Sequence, residues 1–296
     1  MSHLIATADW HLSKTTPISR TDEDYFATCI SKVRQIIQFR NEVAGTICIA
    51  GDIFDNLRVT PYMINVLTGV LKGQPIYAVA GQHDMEYRNL TDACAYKTLV
   101  LNKVIHHLDL HNYQHYKGIS FNEEIPRNLQ AEVCLVHKTV TENDPPYFLK
   151  DAIKAEDLMR LLKDVRVIIC GDYHVPFIKR TKNQVLVNCG SLMRKGKDQI
   201  EYEPSAWHID TNDLSVERLP LTIKPAKEVF SFAVRNESQT PDITLADMDK
   251  VIERLTKEDL KPSFENILMA LAQEEGLDDR DMEILREVLE IAKGGI

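Results

Sequence analysis

The stretch Ile47-Cys48-Ile49-Ala50-Gly51-Asp52-Ile53-Phe54-Asp55 decides how the rest of this chain is read. A β-branched apolar run stops at a glycine and delivers two aspartates into a loop, which is how an α/β protein presents carboxylates at the mouth of a buried sheet. The same grammar recurs four times. Leu4 to Ala8 runs into Asp9-Trp10-His11, Pro75 to Ala80 into Gly81-Gln82-His83-Asp84, Val133 to Val136 into His137, and Val165 to Cys170 into Gly171-Asp172-Tyr173-His174. One Asp-x-His is close to noise, because both residues are common in loops. Solvated turns do not explain five apolar runs that each end in carboxylate, imidazole or amide side chains. Oxygen ligands mixed with imidazoles suit Mn, Fe, Zn or Mg, and a shared carboxylate such as Asp52 can hold two ions about 3.5 to 4 Å apart.

Outward from that stretch the periodicity alternates between strand and helix. Tyr25, Phe26, Cys29, Ile30, Val33, Ile36 and Ile37 fall at three- and four-residue spacings, so an amphipathic helix is expected over 22–41. Thr60 to Leu71 repeats the pattern, with Thr60 as cap and Pro61 in the first turn. Further helices are expected over 91–101 and 155–163, and short strands between Val104 and Phe121. His106, His107, His111 and His115 lie in that polar alternation without a flanking carboxylate pattern, which points to exposed strand faces rather than a metal site. The loop from Lys138 to Lys150, with Asp144-Pro145-Pro146, reads either as a rim of the proposed site or as a plain connection. Val175–Arg180, Val185–Cys189, Ala206–Asp210 and Ser215–Leu219 read as antiparallel strands of a second sheet layer.

A chain of 296 residues exceeds the usual single compact domain, so one large α/β domain plus a smaller one is expected. Prolines between Leu219 and Glu228 mark the boundary, dividing a catalytic domain over 1–220 from a small C-terminal domain over 221–296. The latter holds one strand-like run, Val229 to Val234, and three helical stripes. The last two stripes, Phe264 to Leu271 and Met282 to Ala292, form a hairpin across Gly276-Leu277-Asp278. That hairpin packs on its own chain or offers an apolar face to a partner helix.

Composition narrows the class. Hydrophobic residues at 44% and charged residues at 27% describe an ordinary globular protein, and no apolar run approaches the roughly 20 residues that span a bilayer. Met1-Ser2-His3-Leu4 lacks the basic region of a signal peptide, so a cytoplasmic protein without membrane attachment is expected. The six cysteines are scattered without a C-x-x-C pair and read as buried thiols. A net charge of -9 argues against a protein that coats nucleic acid with its whole surface. Bound divalent cations can still supply positive charge for a phosphodiester locally. Lys179-Arg180 and Arg194-Lys195 are the candidate phosphate contacts, against the plainer reading of a solvated hairpin and loop.

The combined pattern resembles the calcineurin-like metallophosphoesterase superfamily, with its D-x-H, G-D-x-x-D, G-N-H-[DE], lone His and G-H-x-H motifs in order. The resemblance implies an α/β fold built as a two-layer β-sandwich flanked by helices. It also implies a metal-dependent hydrolase with two divalent ions, manganese first and magnesium as the alternative. Asp9, His11, Asp52 and His174 would hold one ion, and Asp52, Gln82, His137 and Asp172 the other. His83 would stabilise the transition state or protonate the leaving oxygen, with Asp84 orienting it or its loop, and Asp55 would fix the loop behind the ligands. Two positions depart from the pattern. Gln82 replaces asparagine, and Asp172 replaces an imidazole, so three carboxylates oppose the four charges of two ions and leave one positive charge instead of two.

The continuation Asn188-Cys189-Gly190-Ser191-Leu192-Met193-Arg194 is similar to SbcD-type double-strand-break-repair nucleases of phages and bacteria. That narrower resemblance implies an exo- or endonuclease for DNA repair, recombination or phage DNA processing. It would work as a homodimer with an SMC-like, SbcC-type ATPase docked on C-terminal helices. Two other readings stand beside it: a phosphoesterase for small molecules or phosphoproteins, and a scaffold subunit with an impaired metal site.

Overall fold

The computed structural model describes residues 2–145, 149 and 151–231. Its first third is a β-α-β-α-β succession. β1 (His3–Thr7), α1 (Tyr25–Val43), β2 (Thr46–Ala50), α2 (Pro61–Leu71), β3 (Ile76–Val79), α3 (Ala95–Leu101) and β4 (His106–His107) follow one another. Then come β5 (Tyr116–Ile119), β6 (Ala131–Lys138), the short pair β7 (Val140–Thr141) and β8 (Ile153–Lys154), α4 (Ala155–Leu161) and β9 (Val165–Asp172). β10 (Phe177–Arg180), β11 (Val185–Asn188), β12 (Ser205–Asp210), β13 (Val216–Pro220) and α5 (Ala226–Val229) complete the described elements.

The strands form two principal sheets, ordered β13-β12-β1-β2-β3-β4 and β10-β11-β9-β6-β5. Alternation along each strand divides its side chains between two cores. Cys48 and Ala50 of β2 meet Val133 and Leu135 of β6 and Val167 and Ile169 of β9 between the sheets. Ile47 and Ile49 turn the other way, onto Cys29, Val33 and Ile36 of α1 and Leu67 of α2. On the far side, Cys134, Ile168 and Cys170 pack against Leu158 and Met159 of α4. The result is a two-layer β-sandwich flanked by helices, as the sequence leads one to expect. Each fully buried Leu or Ile in these layers contributes roughly 1.5–3 kcal/mol, which fixes the strand ends firmly.

Local signals set the helices. Asp24 caps α1 by accepting the Ala27 N–H at 2.9 Å, so the helix starts and ends slightly later than the spacing predicts. Thr60 caps α2, with Pro61 at its first turn. α3 begins only at Ala95, after a turn through Thr91. All six cysteines are buried and free. His107 bonds the Tyr96 hydroxyl at 2.9 Å and His106 is exposed, and neither belongs to a metal-competent cluster among the described residues.

Two expectations about strands are corrected. The second sheet is not an antiparallel continuation: β5, β6, β9 and β11 run parallel, and only β10 is antiparallel. β12 and β13 leave it altogether, and β12 pairs antiparallel with β1 to extend the first sheet. The run expected as a strand from Val229 ends a short helix instead, because Phe230 closes an isolated bridge to Arg20 and its ring lies under the Arg20 and Arg194 guanidinium groups. The rest of that run, the C-terminal helical stripes and Pro146-Tyr147-Phe148 of the proline loop lie outside the described residues. No helix among the described residues is long and apolar enough to cross a membrane.

Candidate metal centre and active site

Five strands from both sheets point their C-terminal ends at one edge of the sandwich. The loops after β1 and β2 are zipped together there: Asp9, His11 and Leu12 donate backbone N–H to Gly51, Asp52 and Ile53 carbonyls at 3.0–3.1 Å. That ladder sets Asp9 and His11 beside Asp52. Gly51 is required by close approach across the sandwich, since a Cβ there would lie 2.0 Å from His137 Nδ1. Gly81 is required for the same reason, because its Cβ would fall 1.9 Å from Asp52 Oδ1. Asp9, His11, Asp52 and Asp172 all hold left-handed backbone, with φ of 49°, 43°, 50° and 88°. Such conformations cost on the order of 1–3 kcal/mol each and gather at functional sites.

The side chains converge as three overlapping groups whose ligand atoms lie within 4.8 Å of one another: Asp9, His11 and His174; His11, Asp52 and His83; Asp9, Asp52 and His137. Asp52 is fully buried, and its Oδ1 accepts the His83 backbone N–H at 3.0 Å. Its Oδ2 has no hydrogen-bond partner among the described residues, yet lies 3.7 Å from His11 Nε2 and 3.5 Å from His137 Nε2. His11 Nε2 and His174 Nε2 face each other at 3.2 Å. Burial holds both imidazoles below their ordinary pKa, His174 down to about 4, so both are neutral near pH 7 and offer lone pairs. Behind His11, Nδ1 is 3.4 Å from Asp55 Oδ1, which keeps the ring proton on that side and turns Nε2 inward.

His137 is oriented in the same way. Its Nδ1 donates to the Ala50 carbonyl at 2.6 Å, leaving Nε2 toward Gln82 Oε1 at 2.7 Å and toward Asp52. Burial opposes a charge on this ring, but the bond to and charge of Asp52, with Asp9 adding to them, raise its pKa to about 10. Burial likewise pushes Asp52 up, and His137 more than offsets it, holding the carboxyl below its ordinary range. Once the His137 proton is displaced, the inward-facing nitrogens and oxygens around this buried, unpartnered carboxylate oxygen are the donor set of a divalent cation, with Asp52 standing between the His11 side and the His137 side.

The two departures from the motif touch each other. Gln82 Nε2 donates to Asp172 Oδ1 at 2.7 Å, so the longer amide reaches the shorter carboxylate. Asp172 also accepts from Thr139 Oγ1, and its backbone N–H donates to both Asp9 oxygens at 3.1 and 3.0 Å. Its Oδ1 is 3.9 Å from His137 Nε2. Thr139 escapes a reading of the sequence; its one signal is a position two residues beyond His137 at the end of β6.

Other candidate residues separate by contact. His83 is exposed, its Nδ1 bonds the Asp55 carbonyl at 2.8 Å, and its ring stands edge-on to His11 at 4.8 Å. Asp84 is not at the reacting surface: fully buried, it accepts the Ile53, Phe54 and Gly81 N–H groups at 3.1–3.3 Å and ties the β2 and β3 loops together. Burial and the Asp52 charge raise Asp84 to about 7. Asp55 bonds Lys195 Nζ at 2.7 Å, and the bond from His11 holds it well below the ordinary carboxylate range. Lys195 thus stands at the centre, whereas its neighbour Arg194 does not. Arg194 is 4% exposed and places Nη1 and Nη2 on the Ile200 and Lys224 carbonyls at 3.0 and 2.6 Å, so those two groups are not offered to a substrate phosphate at the metal centre. Arg180 donates to the Leu214 carbonyl at 2.5 Å, and Lys179 pairs with Glu142 at 3.7 Å.

Residues 3–212 match the model of the Calcineurin-like phosphoesterase superfamily domain. A search of curated proteins finds no match. Among solved structures, a novel archaeal phosphodiesterase is similar at 13% identity and a TM-score of 0.41, over 74% of this chain and 99% of that one. A structure from Staphylococcus aureus carrying a provisional 5'-nucleotidase name, in complex with alpha-ketoglutarate, is similar at 13% identity and a TM-score of 0.47, over 75% of this chain and 54% of that one.

Proposed function

This chain belongs to the calcineurin-like phosphoesterase superfamily, a phosphoester hydrolase by that membership, and from this premise we propose that it is a two-metal phosphodiesterase acting on DNA. The observation that carries the reading is Asp52, a buried carboxylate with one free oxygen between two sets of inward-facing imidazoles. Asp9, His11, His174 and Asp52 would hold one ion, and Asp52, His137, Gln82 and Asp172 the other. Divalent ions, manganese in this reading, supply Lewis-acid polarisation of the phosphoryl oxygens when bound.

The chain's own groups do the rest. The Asp55 carbonyl can only accept, so it keeps a proton on His83 Nδ1 and leaves Nε2 to give or take one at the leaving oxygen. Asp84 holds the His83 loop from behind, and Asp55 fixes the tautomer of His11. Just after Asp55 in the chain, a cleft of about 480 Å³ is lined by Asn56, Leu57, Arg58, Glu86 and Tyr87, with Arg58 paired to Glu86 at 2.7 Å. Tyr87 is 92% exposed, and it and Arg88 hold left-handed backbone at the tip of the Glu86–Asn89 turn. An aromatic ring and a cation presented together at such cost suit a base-and-phosphate polymer. Homodimerisation and docking of an SMC-like ATPase belong to the same proposal, with the docking stripes outside the described residues.

The net charge of -9 favours the competing reading, a smaller phosphoester substrate. A panel of single- and double-stranded DNA, a mononucleotide and a phosphopeptide with manganese separates the two. DNA cleavage that Asp52→Ala and His83→Ala abolish is the expected result. Faster turnover of mononucleotide or phosphopeptide than of DNA would replace the substrate. No turnover by wild type on any of them would leave the scaffold reading.

A further inference from the structure

A second concentration of charge lies away from the metal centre. A cavity of about 190 Å³ is lined by Arg20, Lys32, Arg194 and Lys224, together with the polar residues Thr28, Ser31, Gln35 and Thr222. No carboxylate among the described residues lines it, and none of the metal-centre residues does. Four cations around one small cavity are out of keeping with a chain of net charge -9 unless something compensates them.

Arg20 is compensated, since Asp22 takes its Nε and Nη2 at 2.6 and 2.9 Å. The other three have no carboxylate within 4.0 Å among the described residues. Lys32 is only 4% exposed, and its ammonium donates to one group, the Thr222 carbonyl at 3.0 Å. An ammonium has three N–H donors, so two are unspent among the described residues. Arg194 is as deeply buried and uses Nη1 and Nη2 on carbonyls, leaving Nε. Burial, with Arg194 and Arg20 adding repulsion, presses Lys32 down to about 8, the direction expected of a cation held among cations. A buried charge without a counter-charge is strongly unfavourable, and an anion in the cavity removes the penalty.

We propose that this cavity is a binding site for a phosphate-type oxyanion, free or as the terminal group of a nucleotide, held by Lys32 and Arg194 with Lys224 at its exposed rim. A tetrahedral dianion matches the charge excess and the donors left on the lining among the described residues: two on Lys32, one on Arg194 and the Thr222 hydroxyl, the Ser31 hydroxyl being spent on the Thr28 carbonyl at 2.8 Å. The cavity is larger than one such ion, which leaves room for a sugar or for water.

The test is calorimetry and thermal melting of the full chain in EDTA, so that no divalent ion can hold phosphate on the aspartates. Inorganic phosphate and a 5'-mononucleotide are compared at constant ionic strength against chloride. Binding of at least one of them, weakened tenfold or more by Lys32→Met and by Lys224→Glu, is expected, together with a phosphate-dependent rise in Tm that both variants lose. Lys224 is exposed, so its variant decides the matter if Lys32→Met fails to fold. A mononucleotide that binds tenfold tighter than phosphate identifies a nucleotide as the source, and equal affinities identify free phosphate. No binding of either by wild type, or variants within twofold of wild type, would overturn the proposal.

Discussion

Gly81→Ala perturbs the metal centre without removing any ligand. Gly81 has φ -93° and ψ 179°, extended backbone that alanine adopts freely, so the consequence is steric. The new Cβ would lie 1.9 Å from Asp52 Oδ1 and 2.5 Å from its Cγ, whereas real contacts of this kind do not fall below 3.0 Å. Something must move by about 1.1 Å, the difference between 3.0 and 1.9 Å. Neither partner yields easily: the Gly81 N–H is held by Asp84 Oδ2 at 3.1 Å, and Asp52 Oδ1 by the His83 N–H at 3.0 Å. A shift of this size at a reacting centre costs on the order of 100-fold in rate, and overpacking costs about 1–3 kcal/mol of stability. Manganese-dependent hydrolysis of a chromogenic phosphodiester, ion stoichiometry by calorimetry and urea unfolding measure the three effects together. If Gly81→Ala bound two ions and kept activity within about threefold of wild type, Asp52 would not be the shared ligand.

Three further outcomes are expected. His137 has a folded pKa raised to about 10, so its contribution to the stability of the ion-free protein is complete below about 6.5 and is lost as pH rises toward 10. Ion uptake at pH 7.5 then releases its proton, visible as a dependence of calorimetric heat on buffer ionisation, and His137→Gln reduces that release. Arg194→Ala lowers stability by about 2–4 kcal/mol in denaturant, because it abandons two buried carbonyls, while KM for a phosphodiester stays near wild type. Gly69→Ala, in α2 with nothing within 4 Å of the new methyl group, raises stability by about 0.5–1 kcal/mol in the same experiment.

The strand ends were legible because each carries its own information: an apolar run, a stop and a ligand-type side chain occur within a few adjacent residues. Caps such as Thr60 were legible for the same reason. Sheet membership was not. β12 alternates apolar and polar residues as an edge or a central strand of either sheet would, and its partner β1 lies some two hundred residues earlier. Arg194 and Lys195 show the limit at the site. The two are adjacent basic residues with identical local signals, yet one is buried on backbone carbonyls and the other meets Asp55. What separates them is the packing of Phe230 and the β2 loop around them, a long-range matter. The bond between Gln82 and Asp172 was hidden likewise, because two unrelated departures become one coupled pair only when β3 and β9 are brought together.

The left-handed backbone at Asp9, His11, Asp52 and Asp172 sets this protein's evolutionary liabilities. Glycine at any of the four would relax the chain locally and delete a ligand in the same step. Selection for heat resistance alone therefore drifts toward an inert descendant, and an engineer who screens for Tm without screening for turnover will enrich it. Hardening this scaffold has to begin elsewhere, at positions such as Gly69 where backbone and chemistry do not compete.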